Sequence, residues 1–290
     1  MELDQIRGPD DLKTLGVIEL ESLAQEIRTR IIQVCLTNGG HIGASLGTVE
    51  LTLALHRIFE SPKDSILWDV GHQAYAHKIL TARNTSFSTL RLTGGISGFL
   101  SREESEHDLY GAGHSSTSIS AAAGFAYQNE NWTVAVIGDG ALTAGVAFEA
   151  LNHLSEMPKR GKTLIVLNDN QHSISQNVGG IHRLLTQGNG SILFHALGYD
   201  YLGPFDGHNL EQLVGVLNAV KTGTNDRPLV LHVMTQKGRG YFPAESAPVS
   251  FHGISPPKPA TDKTEPEKII TPPGKSFSDE VGQLLLEQAG

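Results

Sequence analysis

Two apolar runs, "TVAVIGDG" ending at Gly140 and "TLIVLNDN" ending at Asn170, constrain this chain more than any other feature. Each is continuously apolar rather than alternating, the pattern of a parallel strand covered on both faces. Each stops abruptly in a small polar turn, Gly138–Asp139–Gly140 in one and Asn168–Asp169–Asn170 in the other. A helix-like pattern, "ALTAGVAFEALNH", begins at once after the first turn. Further strands are predicted at "SILWDVGH", "YDYLGP" and "PLVLHVMT". Helical spacing marks "VIELESLAQEIRTRIIQVCLTN", "GTVELTLALHRIF", "QAYAHKILTAR", "SISAAAGFAYQ" and "LEQLVGVLNAVK". This alternation predicts an α/β fold, a mostly parallel sheet with helices on both faces.

In such a sheet ligands bind beyond the carboxyl ends of the strands. Asp139 and Asn170 are therefore predicted to converge on one point. A carboxylate, an amide oxygen and a main-chain carbonyl are hard donors suited to Mg²⁺, which shares its shell with phosphates and water. Gly138 and Gly140 would let a diphosphate approach the backbone, and the following helix would turn free amides toward it. Taken alone, GDG is more often a turn with a helix-capping aspartate, and NDN more often a plain turn. The two turns together, with Asp139 and Asn170 separated by 31 positions (170 minus 139) and a helix between them, favour the metal.

The net charge of −9 argues against nucleic acid or an anionic membrane as a partner. No apolar stretch approaches membrane-spanning length, and "MELDQIRGPDDLKTLG" has neither a secretory nor a basic transit pattern. The single cysteine, Cys35, lies in an apolar-periodic run and is read as a buried small hydrophobe. A reducing, cytoplasmic compartment is expected. After about His252 the composition turns to prolines and charges. Residues 1–253 are expected to form one domain, 254–274 a Pro-rich linker, and 275–290 the start of a following domain.

The blocks "GGHIGASLGTVELTLALH", "WDVGHQAYAHKIL", "GGISGFLSREESEHD", "GHSSTSIS", "IGDGALTAGVAFEALNH", "LNDNQHSIS", "GPFDGHNLEQL" and "MTQKGRGYFPAE" resemble 1-deoxy-D-xylulose-5-phosphate synthase, a transketolase-like family, in order and over nearly the whole chain to about His252. The resemblance implies the N-terminal, diphosphate-binding domain of a thiamine diphosphate and Mg²⁺ enzyme. It places Mg²⁺ on Asp139, Asn170 and the main-chain carbonyl of His172. It places the cofactor against His72, Gly113, His114, Ser115, Ser116, Gly138, Asp139, Gly140, Ala141, Asn170 and Tyr241. It puts His41 and His252 near the reacting carbon, where an imidazole can move protons near neutral pH. The remaining histidines His56, His107, His153, His195 and His232 are read as structural or surface residues. The implied reaction joins pyruvate, with loss of carbon dioxide, to glyceraldehyde 3-phosphate, and the cofactor supplies the nucleophile.

The chain departs from the family pattern in three ways. The glutamate that activates the aminopyrimidine lies in the family's second domain, so the chain is expected to be inactive alone and to need a pyrimidine-binding domain, as a homodimer or with a partner chain. The segment after "NVGG" is much shorter, with Gly188–Asn189–Gly190 at the junction. Ser45 is displaced by one position, and Ala76 and Leu100 stand where proline is usual. Rival readings are a split transketolase-like subunit, a noncatalytic thiamine diphosphate-binding protein, and a metal hydrolase using several histidines.

Overall fold

The computed structural model describes residues 2–111, 113–128, 130–157, 162–224, 226–257 and 277–289. Five strands form one sheet: β1 (Ser65–Trp68), β2 (Thr133–Gly138), β3 (Thr163–Asp169), β4 (Asp200–Asp206) and β5 (Leu229–Met234). Their spatial order is β1-β2-β3-β5-β4, and every neighbouring pair is parallel.

The helices are α1 (Val17–Asn38), α2 (Ile42–Gly47), α3 (Val49–Ile58), α4 (Tyr75–Lys78), α5 (Ser118–Gln128), α6 (Asp139–Leu142), α7 (Gly145–Glu156), α8 (Gly180–Thr186), α9 (Gly190–Ala196), α10 (Leu210–Thr222), α11 (Phe242–Ser246) and α12 (Phe277–Ala289). α1 ends where its glycines require it: Gly39 takes a positive φ of 79° and its amide closes on the Cys35 carbonyl. Cys35 is fully buried, and burial pushes its thiol up to about 12.

The period-two alternation of a strand explains the two helical layers. Val134, Val136, Leu164, Val166, Leu229, Leu231 and Val233 join a core with α1, α3 and α10. Ile137, Ile165, Leu167 and Val230 join a second core with residues of α5, α7 and α9. The inner strands β2, β3 and β5 are thus buried on both faces, as their apolar runs require, while the edge strand β4 is half-buried to exposed.

Two compact units are present, Met1–Pro257 and Lys258–Gly290. The first runs past residue 253: Ile254 bridges Gly40, exchanging hydrogen bonds of 2.8 and 2.9 Å. Ile254 thus pairs through an isolated bridge and packs, partly buried, on the core. The linker expectation for 258–274 falls outside the described residues. In the second unit, α12 exposes Phe277 and Leu284 to Leu286.

Candidate functional site

The carboxyl ends of four adjacent strands, β1, β2, β3 and β5, run into the wall of one cavity of about 470 Å³. Its lining includes His41, His72, Gly113, His114, Ser115, Gly138, Gly140, Ala141, Asn170, His172 and His252. Asp139 lies between two of these, only 3% exposed.

Local bonding explains the placement. The buried Asp69, next after β1, accepts from the amides of Ser116 (2.7 Å) and Ser118 (3.0 Å), so it caps α5 and pins the Gly113–Ser115 turn to the strand end. Ser116 is turned into the protein by this bond and does not line the cavity. The Ser45 hydroxyl donates to the His72 carbonyl (2.9 Å) and Thr48 to that of Gln73 (2.8 Å). The displaced serine thus anchors the turn that carries His72. Gln73 Oε1 accepts from Asn168 Nδ2 (3.0 Å), which ties β1 to β3 beneath the cavity.

Asp139 is the electrostatic centre. Its Oδ2 accepts from Asn177 Nδ2 at 2.7 Å, while its Oδ1 is buried without a partner. Burial, and then the Asp169 carboxylate beside it, push Asp139 up to about 7. An orphaned buried carboxylate oxygen next to a second carboxylate is a position that a cation would satisfy. Asn170 offers its amide oxygen, which accepts from the His172 amide at 3.0 Å, and the His172 ring nitrogen Nδ1 is 2.9 Å from the Asn170 carbonyl. The imidazole is thereby engaged with the turn, leaving the main chain of His172 as its contribution. Among the described residues no group of three or more His, Cys, Asp or Glu side chains could hold a metal ion. The donor set here is of another kind: one carboxylate, one amide oxygen and one main-chain carbonyl, which fits Mg²⁺.

Glycine is used differently at the two positions of GDG. A Cβ at Gly138 would meet nothing, so the backbone there faces open cavity. A Cβ at Gly140 would collide with the Ser173 hydroxyl, which bonds Asn177 (2.7 Å) and so supports the residue holding Asp139.

At the other end of the cavity His41, His72 and His252 form a triangle with ring centroids 5.6 Å apart. Phe99 packs on His41 at 5.5 Å. The Nδ1 atoms of all three histidines are buried without a partner. Burial, reinforced by the neighbouring imidazoles, brings His41 down to about 4 and His72 down to about 3, and burial likewise lowers His252. Burial thus favours the neutral imidazole at all three positions.

Tyr241 lies outside the lining of this cavity. Gly238 and Gly240, with φ of 82° and 79°, turn the chain before it. Its ring packs edge-on to Phe251 at 5.8 Å, and Tyr241 is not among the residues lining the cavity. Conversely, Lys237 was missed by sequence reasoning. It lines the cavity, is buried, donates to the Ser173 carbonyl at 2.8 Å, and burial pushes it down to about 8. Its signal was the position three residues after the end of an apolar strand, directly before Gly238. Of the histidines read as structural, His56 is fully buried against His77, His107 bonds Ser61, and His232 bonds Asp169, while His153 and His195 are exposed.

This arrangement, a parallel sheet with a polar cavity at its carboxyl edge, is the transketolase fold. The transketolase of Leishmania mexicana matches with a TM-score of 0.63 at 20% identity, covering 76% of this chain and 37% of that one. A transketolase variant from Pichia stipitis matches at 0.62 and 19%, covering 76% and 36%. The family model described as 1-deoxy-D-xylulose-5-phosphate synthase matches residues 3–191 and 185–235. The 1-deoxy-D-xylulose-5-phosphate synthase of Carboxydothermus hydrogenoformans is 45% identical over 334 residues, 99% of this chain and 52% of its own length. That of Thermomicrobium roseum is 44% identical over 336 residues, 100% of this chain and 51% of its own length. The chain belongs to the 1-deoxy-D-xylulose-5-phosphate synthase family. It spans about half the length of the curated relatives it matches.

The match to the first relative covers 334 residues and this chain has 290, so at least 44 (334 minus 290) of the relative's residues have no counterpart here. The two stretches matched by the family model meet at 185–191, around Gly188 and Asn189. The shortened segment therefore lies at the α8–α9 junction.

Proposed function

We propose that this chain is the Mg²⁺- and thiamine diphosphate-binding part of an enzyme that condenses pyruvate with glyceraldehyde 3-phosphate to 1-deoxy-D-xylulose 5-phosphate and carbon dioxide. The observation that carries the reading is the orphaned, buried Asp139 Oδ1 at the carboxyl edge of the sheet, with Asn170 on the same cavity wall in a member of this family. Asp139, the Asn170 amide oxygen and the His172 carbonyl hold the metal. Gly138, Gly140 and Ala141 flank the diphosphate on one side, with Gly113, His114 and Ser115 on the other. When bound, the cofactor supplies the nucleophilic carbon.

The protein's own share is binding, orientation and proton movement. His41, His72 and His252 present neutral imidazoles to the reacting end, where each can hydrogen-bond a substrate hydroxyl. Phe99 shields His41 from water. The residues that activate the aminopyrimidine come from a pyrimidine-binding domain on further sequence or on a partner chain, and the assembled enzyme works in the cytoplasm. Among the described residues no helix is long and apolar enough to cross a membrane.

Complementation tests this. The chain alone, with Mg²⁺, thiamine diphosphate and both substrates, is expected to form no product above a cofactor-only control. Mixing it with a chain carrying a pyrimidine-binding domain of the family is expected to give pyruvate-dependent carbon dioxide release and product. Product from the chain alone would refute the need for the second domain. Release of carbon dioxide without condensation would refute the acceptor assignment.

A further inference from the structure

Beneath the metal-binding turn runs a chain of hydrogen bonds that reaches the edge of the sheet. Asp169 Oδ1 accepts from the Gln171 amide at 3.1 Å. Asp169 Oδ2 pairs with His232 Nε2 at 3.0 Å, and His232 Nδ1 with the Tyr201 hydroxyl at 2.7 Å. The bonding is self-consistent only in one tautomer: Nε2 carries the proton toward the carboxylate, and Nδ1 accepts from the phenol. Tyr201 is held in turn by Phe194 of α9, stacked at 5.7 Å with 14° between the rings.

We infer that His232 and Tyr201 are positioning residues for the turn at 169–172, fixing the geometry with which Asn170 and His172 meet a metal. The inference rests on the functional reading above. Gln171 has a positive φ of 63°, a conformation that non-glycine residues avoid. Something must hold it, and the Asp169 carboxylate does so by gripping its amide. Asp169 has no freedom to let go while His232 holds its other oxygen. The relay is anchored by Phe194, only four positions beyond Gly190, where the shortened segment rejoins the fold. The stub of that segment is thus packed against the outer end of the relay.

A merely structural role would change stability without changing the metal requirement, so the test separates the two. Thiamine diphosphate is titrated calorimetrically into the chain at a series of free Mg²⁺ concentrations, giving the half-saturating Mg²⁺. Loss of an outer partner of a metal ligand typically weakens metal binding by about 10–100-fold, the shift expected of His232→Gln. Tyr201→Phe removes one hydrogen bond further out and keeps the stack on Phe194, with an expected shift of about fivefold. The ligand-free thermal midpoint of Tyr201→Phe is expected to stay within about 2 °C of the wild type. Wild-type half-saturating Mg²⁺ in Tyr201→Phe, with or without a change in midpoint, would overturn the inference. If His232→Gln fails to fold, Tyr201→Phe decides alone. Failure of the wild-type chain to bind at any Mg²⁺ concentration would instead refute the functional reading.

Discussion

Asp139→Asn is expected to make the ligand-free chain more stable while removing its response to Mg²⁺ and thiamine diphosphate. The two effects have one cause. In the ligand-free protein Asp139 is buried, its Oδ1 has no partner, and the Asp169 carboxylate stands beside it. An amide of the same shape keeps the bond from Asn177 and removes the like-charge contact. Relief on the order of 1 kcal/mol follows, a rise of roughly 2–4 °C in thermal midpoint for a domain of this size. With Mg²⁺ the sign reverses. Wild-type protein with ligand at 100 times its dissociation constant gains about 2.7 kcal/mol. The variant, having lost its only carboxylate ligand, loses affinity by at least ~100-fold and gains almost nothing. Differential scanning calorimetry with and without Mg²⁺ and thiamine diphosphate reads both numbers. A variant less stable than wild type without ligand, or one that still shifts fully with it, would show that Asp139 is a structural cap.

Asp108→Ala is expected to cost roughly 3–5 kcal/mol, the loss typical of removing one partner of a buried ion pair. Asp108 is fully buried and takes Arg83 through two bonds of 2.6 and 2.7 Å, His77 Nε2 at 3.1 Å and the Ser101 amide at 2.9 Å. Glu104 accepts from the buried Lys78 at 2.6 Å and from the Ser97 amide at 2.6 Å. Together the two carboxylates fasten the segment that carries Phe99 to residues 77–83. Removing Asp108 leaves the Arg83 charge only its 3.3 Å contact with Glu104 and frees that segment, so cofactor affinity falls along with stability. The double variant Arg83→Met, Asp108→Leu is expected to recover much of the stability, because no unpaired charge remains. The pH dependence has a fixed sign. Burial would raise the Asp108 carboxyl, but the hydrogen bonds from His77 and Arg83 overcome it and hold the group well below the usual carboxylate range. Its contribution is complete above the unfolded value of about 3.9 and is lost as pH falls below it. The difference between wild type and Asp108→Ala, measured by urea unfolding, is therefore constant near neutrality and shrinks below about pH 4.

What could be read from the sequence follows from where the information is local. β2 and β3 are unbroken apolar runs, and the burial of both their faces forces a parallel sheet with two helical layers. Asp139 and Asn170 could be paired because strand ends in such a sheet share one edge. The roles of Asp69, Glu104, Asp108 and Lys237 could not be read this way. Each depends on which segments the crossovers bring together, and "SREESEHD" looks like an ordinary solvated charge run until Arg83 and Lys78 arrive from another element. Tyr241 follows two positive-φ glycines, and its ring packs on Phe251, a contact its motif did not announce. His232 was read as a structural or surface residue, and what it bonds is the Asp169 carboxylate under the turn at 169–172.

The reading stands or falls on whether the carboxyl edge of this sheet is a Mg²⁺-dependent diphosphate site. Isothermal titration of thiamine diphosphate into the wild-type chain, once in millimolar Mg²⁺ and once in EDTA, measures this directly. Saturable one-to-one binding with Mg²⁺, abolished by EDTA, is the expected result. Equal binding in both buffers, or none in either, would contradict it.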